Sequence, residues 1–242
     1  MKTMQTVFQR YEKKYLLEPD QAAAVRRALE GHMLEDRYGQ HTICNLYYDT
    51  PDFSLIRTSL DKPVYKEKLR LRSYGVPSDT STVFLELKKK FDGVVYKRRV
   101  PMTLLESARY LASGVRPAGE NAQILREIDW FLAHNPVEAC AFIGYDRVAL
   151  FGADDPELRI TFDRNIRARE DALDLRCGDR GDALLAPGQA LMELKIGEAM
   201  PVWLSRILSD CAVRPASFSK YGVCYRDQIF AAQQHKGGVI CA

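Results

Sequence analysis

Residues 65–74 read Tyr65-Lys66-Glu67-Lys68-Leu69-Arg70-Leu71-Arg72-Ser73-Tyr74. Successive side chains of a β-strand point to opposite faces, so Lys66, Lys68, Arg70 and Arg72 share one face and Leu69 and Leu71 the other. The next stretch, Val83 to Lys89, repeats the arrangement, with Val83, Leu85 and Leu87 opposing Phe84, Glu86 and Lys88. Asp92-Gly93 is a hairpin signal, and beyond it Lys97 and Arg99 fall on one face of Val94 to Met102. Three neighbouring strands, each apolar on one side and cationic on the other, point to an antiparallel sheet.

Working outward, the same period of two marks Val7 to Leu17, Thr42 to Tyr48, Ala141 to Phe151, Leu158 to Asp163 and Leu191 to Ile196. It pairs Tyr145 with Arg147, groups Arg159, Thr161 and Asp163, and pairs Glu193 with Lys195. Helical spacing predicts helices from Asp20, as N-cap, to about Gly31, over Phe53 to Ser59, over Leu104 to Ser113, over Asn121 to His134 and from Pro201 to about Cys211. A last element begins at Phe218-Ser219-Lys220-Tyr221, the stretch from Asp171 to Gly188 reads as a loop, and Gln233 to Ala242 as a tail. No linker or internal repeat divides the chain, so one domain over 1–242, with its core at about 7–232, is expected.

Composition narrows the function classes. Hydrophobic residues at 46% and charged residues at 28% are globular proportions. With 35 Lys and Arg against 32 Asp and Glu, the net charge of +3 offers no global field for nucleic acid, and no stacking-aromatic pattern marks a single-strand binder. No apolar run approaches the ~18 residues of a membrane span, and the N-terminal stretch carries no signal-peptide core. A cytoplasmic protein is therefore expected, any membrane-protein partner lying outside this chain. Six cysteines without a CxxC pair and four scattered histidines argue for free thiols and against zinc or His-centred catalysis.

What remains is the bias of the polar faces. Each could be a solvated face neutralised by cross-strand pairs. If instead the sheet closes, with helices covering its apolar side, the charges line a lumen. Like charges crowded there repel by about a few kcal/mol per close pair, so a polyanion is the expected guest. Phosphate chains suit Arg forks and Lys point charges, with a few Glu able to hold Mg²⁺ or Mn²⁺.

In their order along the chain, Arg10-Tyr11-Glu12-Lys13-Lys14-Tyr15, Tyr47-Tyr48-Asp49-Thr50, Lys68-Leu69-Arg70-Leu71-Arg72, Glu86-Leu87-Lys88, Tyr145-Asp146-Arg147, Arg159-Ile160-Thr161-Phe162-Asp163, Glu193-Leu194-Lys195 and Phe218-Ser219-Lys220-Tyr221 resemble the VTC domain, the polyphosphate-polymerase module of the CYTH-like triphosphate tunnel superfamily. Arg10 stands where the adenylate-cyclase and thiamine-triphosphatase branch usually has the first glutamate of an ExExK strand, which removes one metal-binding carboxylate.

The resemblance implies an α+β fold, a closed antiparallel barrel with helices outside. It implies phosphate contacts from Lys14, Lys68, Arg70, Arg72, Lys88, Lys97, Arg99, Tyr145, Arg147, Arg159, Lys195, Ser219 and Lys220. Arg70, Arg72, Arg147, Arg159 and Glu193 would carry the chemistry, and Glu193, with Glu86 as a second candidate, would hold Mn²⁺ or Mg²⁺; Glu12 would serve the metal or pair with Lys14. The implied activity is transfer of the ATP γ-phosphoryl group to polyphosphate or pyrophosphate. A tripolyphosphatase or nucleoside triphosphatase on the same barrel, and a non-catalytic sensor of polyphosphate or inositol polyphosphate, are the alternatives.

Overall fold

The computed structural model describes residues 11–92, 94–117, 119, 121–197, 199–232 and 234. Arg10 with the start of the first expected strand, Gly93 of the hairpin, His235, Cys241 and the tail apart from Gln234 lie outside the described residues. The described residues fold as antiparallel sheet with helices, in two compact units: those within 11–41, 145–166 and 185–218 form the first, and those within 42–144, 167–184 and 219–234 the second.

The first unit holds strands β1 (Tyr11–Leu17) and β2 (Met33–Glu35), the C-terminal part of β7 (Glu138–Gly152), the N-terminal part of β8 (Arg159–Arg169) and β10 (Ala190–Ile196). The hydrogen-bonded order is β1, β10, β8, β7, with β2 against β7. Helices α1 (Pro19–Ala28) and α5 (Val202–Asp210) supply Ala22, Val25, Leu204 and Leu208 to a core shared with Tyr15, Leu17, Ile160, Phe162, Met192 and Leu194. These strand residues alternate with Lys14, Thr161 and Glu193, so the period of two sorts an apolar face from a charged one. Burying each large aliphatic side chain contributes roughly 1.5–3 kcal/mol.

The second unit repeats the logic. Strands β3 (His41–Asp49), β4 (Tyr65–Tyr74), β5 (Thr82–Phe91) and β6 (Val94–Thr103) follow the N-terminal part of β7 in the order β7, β3, β4, β5, β6, and β9 (Asp182–Ala183) pairs with β8. Their apolar face, including Leu46, Leu69, Leu71, Leu85, Leu87 and Val100, packs with Tyr110 of α3 (Leu104–Ser113) and with Leu125, Ile128 and Phe131 of α4 (Ala122–His134). A capping box between Thr103 and Glu106 starts α3, and Gly114 ends it in the left-handed conformation. Asp92 takes φ 43 at the hairpin, as a primed turn demands.

Three sequence expectations need correction. Helix α1 has Glu18, not Asp20, at its N-cap, with Pro19 in the first turn and the Glu18 amide donating to Gln21 Oε1 at 3.2 Å. Strand β8 continues to Arg169 instead of ending at Asp163. Asn165 interrupts its alternation with φ 49 and donates to Asp146 at 2.9 Å, so a strand reads as ended where it only bends. The segment after Glu170 contains a 3₁₀ turn (Leu175–Cys177) and β9. There Arg169, buried against the Phe142 ring at 3.7 Å, donates to the carbonyls of Ala172, Asp174, Gly178 and Arg180, a local organiser that turn-rich composition conceals. The short strand β2 had no sequence signal.

Asp49 is the junction of the second unit. At the end of β3 it accepts from the amides of Thr50 at 2.9 Å, Leu55 at 2.9 Å and Ile56 at 3.0 Å, starting α2 (Ser54–Leu60), and from the Tyr221 hydroxyl at 2.9 Å in α6 (Lys220–Cys224). Burial raises its pKa, and these four donors work against that rise. Cys44, Cys140, Cys177, Cys211 and Cys224 are free thiols, and among the described residues no helix is long and apolar enough to cross a membrane. Replacing Asp49 with Ala should cost about 3–5 kcal/mol of unfolding free energy in a denaturant titration, because buried donors then lose their acceptor; a loss under about 1 kcal/mol would remove Asp49 as the junction.

Candidate functional site

The polar face of β4, β5 and β6 follows from their registers. Arg70 lies opposite Tyr47 on one side and Glu86 on the other, Lys68 opposite Lys88, Glu86 opposite Arg99, and Lys88 opposite Lys97. Glu86 is 1% exposed, and Arg70 Nη2 and Lys97 Nζ each reach its carboxylate at 2.7 Å, Arg99 Nε at 3.2 Å and Arg72 Nε at 3.9 Å. Burial alone would raise the Glu86 pKa, but the charges of Arg70, Arg72 and Lys97 outweigh it and hold it at about 2. Lys97 is held down to about 8, first by burial and then by Arg70 and Arg72, against the pull of Glu86.

Three neighbours of this cluster were not singled out as site residues. Tyr47 accepts from Arg70 Nη1 at 3.2 Å and stacks on Tyr221 at 4.8 Å. Burial opposes ionisation of its phenol, yet Arg70, Arg72 and Lys220 bring its pKa below the usual tyrosine range. Asn45, fully buried, accepts from Arg72 Nε at 2.9 Å and donates to the Ile143 carbonyl at 2.9 Å, setting the angle of that guanidinium. Alternation through Thr42 to Tyr48 already places Asn45 and Tyr47 opposite Cys44 and Leu46, which was the available signal. Phe84 carries the Arg99 guanidinium at 3.5 Å from its centroid, and Arg99 also donates to the Tyr74 hydroxyl at 3.0 Å.

Lys68 donates to the Ser219 hydroxyl at 3.2 Å, which itself accepts from the Gly222 amide at 3.2 Å and so caps α6. Ser219 thus serves the backbone as well as the face, while Lys220 is buried at the start of that helix.

In the first unit, Lys14, Glu193 and Thr161 form one row across β1, β10 and β8, and Glu12, Lys195 and Arg159 form the next. Arg147 grips Asp163 with two bonds, Nε at 2.6 Å and Nη2 at 2.7 Å. Asp163 is fully buried. Burial disfavours the Arg147 cation, but Tyr145, Asp163 and Glu193 overcome that and raise its pKa. Tyr145, 1% exposed, lies under Arg147 at 5.2 Å from its ring centroid.

Glu193 faces Lys14 at 3.3 Å and Arg147 at 3.7 Å, looser than the 2.7 Å pairs around Glu86. Lys14 also lies 3.8 Å from Glu12 and donates to the Phe218 carbonyl at 3.0 Å. Thr161 Oγ1 is buried without a hydrogen-bond partner. Asp163 was placed beside Arg159 by alternation without being assigned a role; its companion Arg147 shows the role to be orientation. Arg159 is exposed and Lys195 half-buried.

Among the described residues no group of three His, Cys, Asp or Glu could hold a metal unaided. A divalent cation sharing phosphate oxygens and water needs only one or two carboxylates, and Glu193 offers a buried one on the polar face of the first unit. Glu86 is engaged by cations on both oxygens.

The VTC domain family model matches residues 9–227. No curated protein matches by sequence. Two similar solved structures are a Bacillus halodurans protein provisionally named an adenylate cyclase, 15% identical with TM-score 0.53, covering 86% of this chain and 92% of its own, and a provisional adenylyl cyclase of Hippeastrum whose dominant activity is that of a triphosphatase, 16% identical with TM-score 0.52, covering 89% and 94%. The shared fold is CYTH-like.

The Glu86 cluster sets a pH dependence. Its folded pKa of about 2 lies below the unfolded carboxylate value of about 4.3, so its stabilisation is complete above that value and is lost as pH falls toward 2. Unfolding free energy should fall by on the order of 3 kcal/mol across that window from this group, and Glu86→Gln should flatten that part of the profile; an unchanged profile in the variant would exclude the cluster as its origin.

Proposed function

The chain belongs to the VTC domain family, and on that footing we propose that it transfers the γ-phosphoryl group of ATP to a growing polyphosphate chain, releasing ADP, with pyrophosphate able to prime it. The observation that carries this reading is the composition of the polar face of β4 to β6. Lys66, Lys68, Arg70, Arg72, Lys88, Lys90, Lys97 and Arg99 share it by alternation and register, with Glu86 as the carboxylate among them. Cations in such excess along three strands suit a long polyanion better than a single phosphate group.

In this proposal the sheet closes into a barrel, the whole chain acts as one domain, and the cationic faces turn inward. Phosphoryl transfer passes through a loose transition state whose charge spreads over the equatorial oxygens, so alignment and neutralisation supply most of the catalysis. Arg70 and Arg72 would hold phosphate oxygens with their forks aimed by Glu86, Tyr47 and Asn45. Arg147, oriented by Asp163, would do the same in the first unit, with Arg159, Lys14 and Lys195 as further contacts. Lys68, Lys88, Lys97, Arg99, Tyr145, Ser219 and Lys220 complete the proposed phosphate contacts. Glu193 would hold Mn²⁺ or Mg²⁺, which neutralises phosphate charge when bound. The attacking atom is an oxygen of the acceptor phosphate, ionised at neutral pH, so no protein nucleophile is required.

Incubation with ATP, Mn²⁺ and pyrophosphate, resolved on a gel, tests the reading. A ladder of lengthening chains supports it; orthophosphate alone would make the protein a phosphohydrolase, and tight polyphosphate binding without turnover a sensor. Glu193→Gln should lower metal-dependent turnover by roughly 10²-fold or more with little change in thermal stability. Full activity in that variant would remove Glu193 from the site.

A further inference from the structure

Thr161 is 8% exposed and its hydroxyl has no hydrogen-bond partner. A buried hydroxyl loses its hydration and regains nothing unless something accepts or donates to it. Packing alone does not call for a hydroxyl here, because valine has the same branched shape without that cost. The polar atom is therefore explained by what comes to lie against this face.

Its surroundings state what that is. Thr161 stands directly opposite Glu193, which stands opposite Lys14, so the three share a row on the charged face. Lys14 and Arg147 lie on this face at 3.3 Å and 3.7 Å from Glu193, and Asp163 fixes Arg147 by two short bonds. A small anion with several oxygens satisfies this arrangement: it takes charge from Lys14 and Arg147 and leaves an oxygen for a neutral donor. A hydroxyl suits that place, since it rotates to follow the oxygen and adds no repulsion toward the cations.

We propose that Thr161 is a substrate-binding residue whose hydroxyl donates a hydrogen bond to an oxygen of a phosphate group held beside Lys14 and Arg147. The assignment rests on the phosphoryl-transfer reading of this face and adds a neutral contact to it. It accounts for the buried hydroxyl as a group satisfied only in the bound state.

Thr161→Val separates this role from a structural one. The ligand-free variant should unfold at the same temperature as the parent or slightly higher, because a dry hydroxyl is exchanged for a methyl. Binding of tripolyphosphate, measured by calorimetry without metal, should weaken about tenfold or more, as for a lost hydrogen bond to a charged group. Thr161→Ser should retain binding. Unchanged tripolyphosphate affinity in Thr161→Val, or a marked fall in its melting temperature, would overturn the assignment while leaving the wider reading intact. Failure of the parent protein to bind tripolyphosphate would overturn both.

Discussion

On the polar face of β4 to β6, Glu86 lies within 4 Å of Arg70, Arg72, Lys97 and Arg99. Two unit charges about 4 Å apart interact by about 4 kcal/mol at an effective dielectric near 20, so neighbouring guanidinium and ammonium groups would drive one another apart without a shared counter-charge. Glu86 supplies it, and the two directions of pKa displacement record the balance: the carboxyl is held at about 2 and Lys97 at about 8. The carboxylate is thereby kept ionised among the four cations that surround it.

The first unit solves the same problem with different tightness. Arg147 is committed to Asp163 through a bidentate pair, which fixes the plane of its guanidinium, whereas its approach to Glu193 is longer. Glu193 is bordered by Lys14 and Arg147 at longer distances than the 2.7 Å pairs that Arg70 and Lys97 make with Glu86.

Both charged faces depend on what covers the opposite side of the sheet. Helices α1 and α5 in the first unit and α3 and α4 in the second take up the leucines, isoleucines and aromatic residues that alternate with the charged positions. Asp49 adds a further restraint in the second unit, tying the start of α2 and the Tyr221 hydroxyl of α6 to the end of β3. Tyr221 in turn stacks on Tyr47, whose hydroxyl meets Arg70. Packing and the cationic face are thereby joined through two aromatic rings.

The strand pattern was legible in the sequence because a period of two is a local property: Lys68, Arg70 and Arg72 must share a face wherever that segment is extended. For the same reason Asp163, Asn45 and Tyr47 could be placed on the charged faces, and helix α3 could be bounded at Leu104 and Ser113. What alternation cannot express is which strand lies beside which. Only the tertiary pairing put Glu86 between Arg70 and Arg99, set Thr161 opposite Glu193, gave Arg147 to Asp163 and carried β8 on beyond Asn165. The chain by itself determined the residues available to each face, through backbone geometry that acts over two or three positions. The long-range hydrogen-bond registers, and the burial that strengthens every charge within them, decided which of those residues meet.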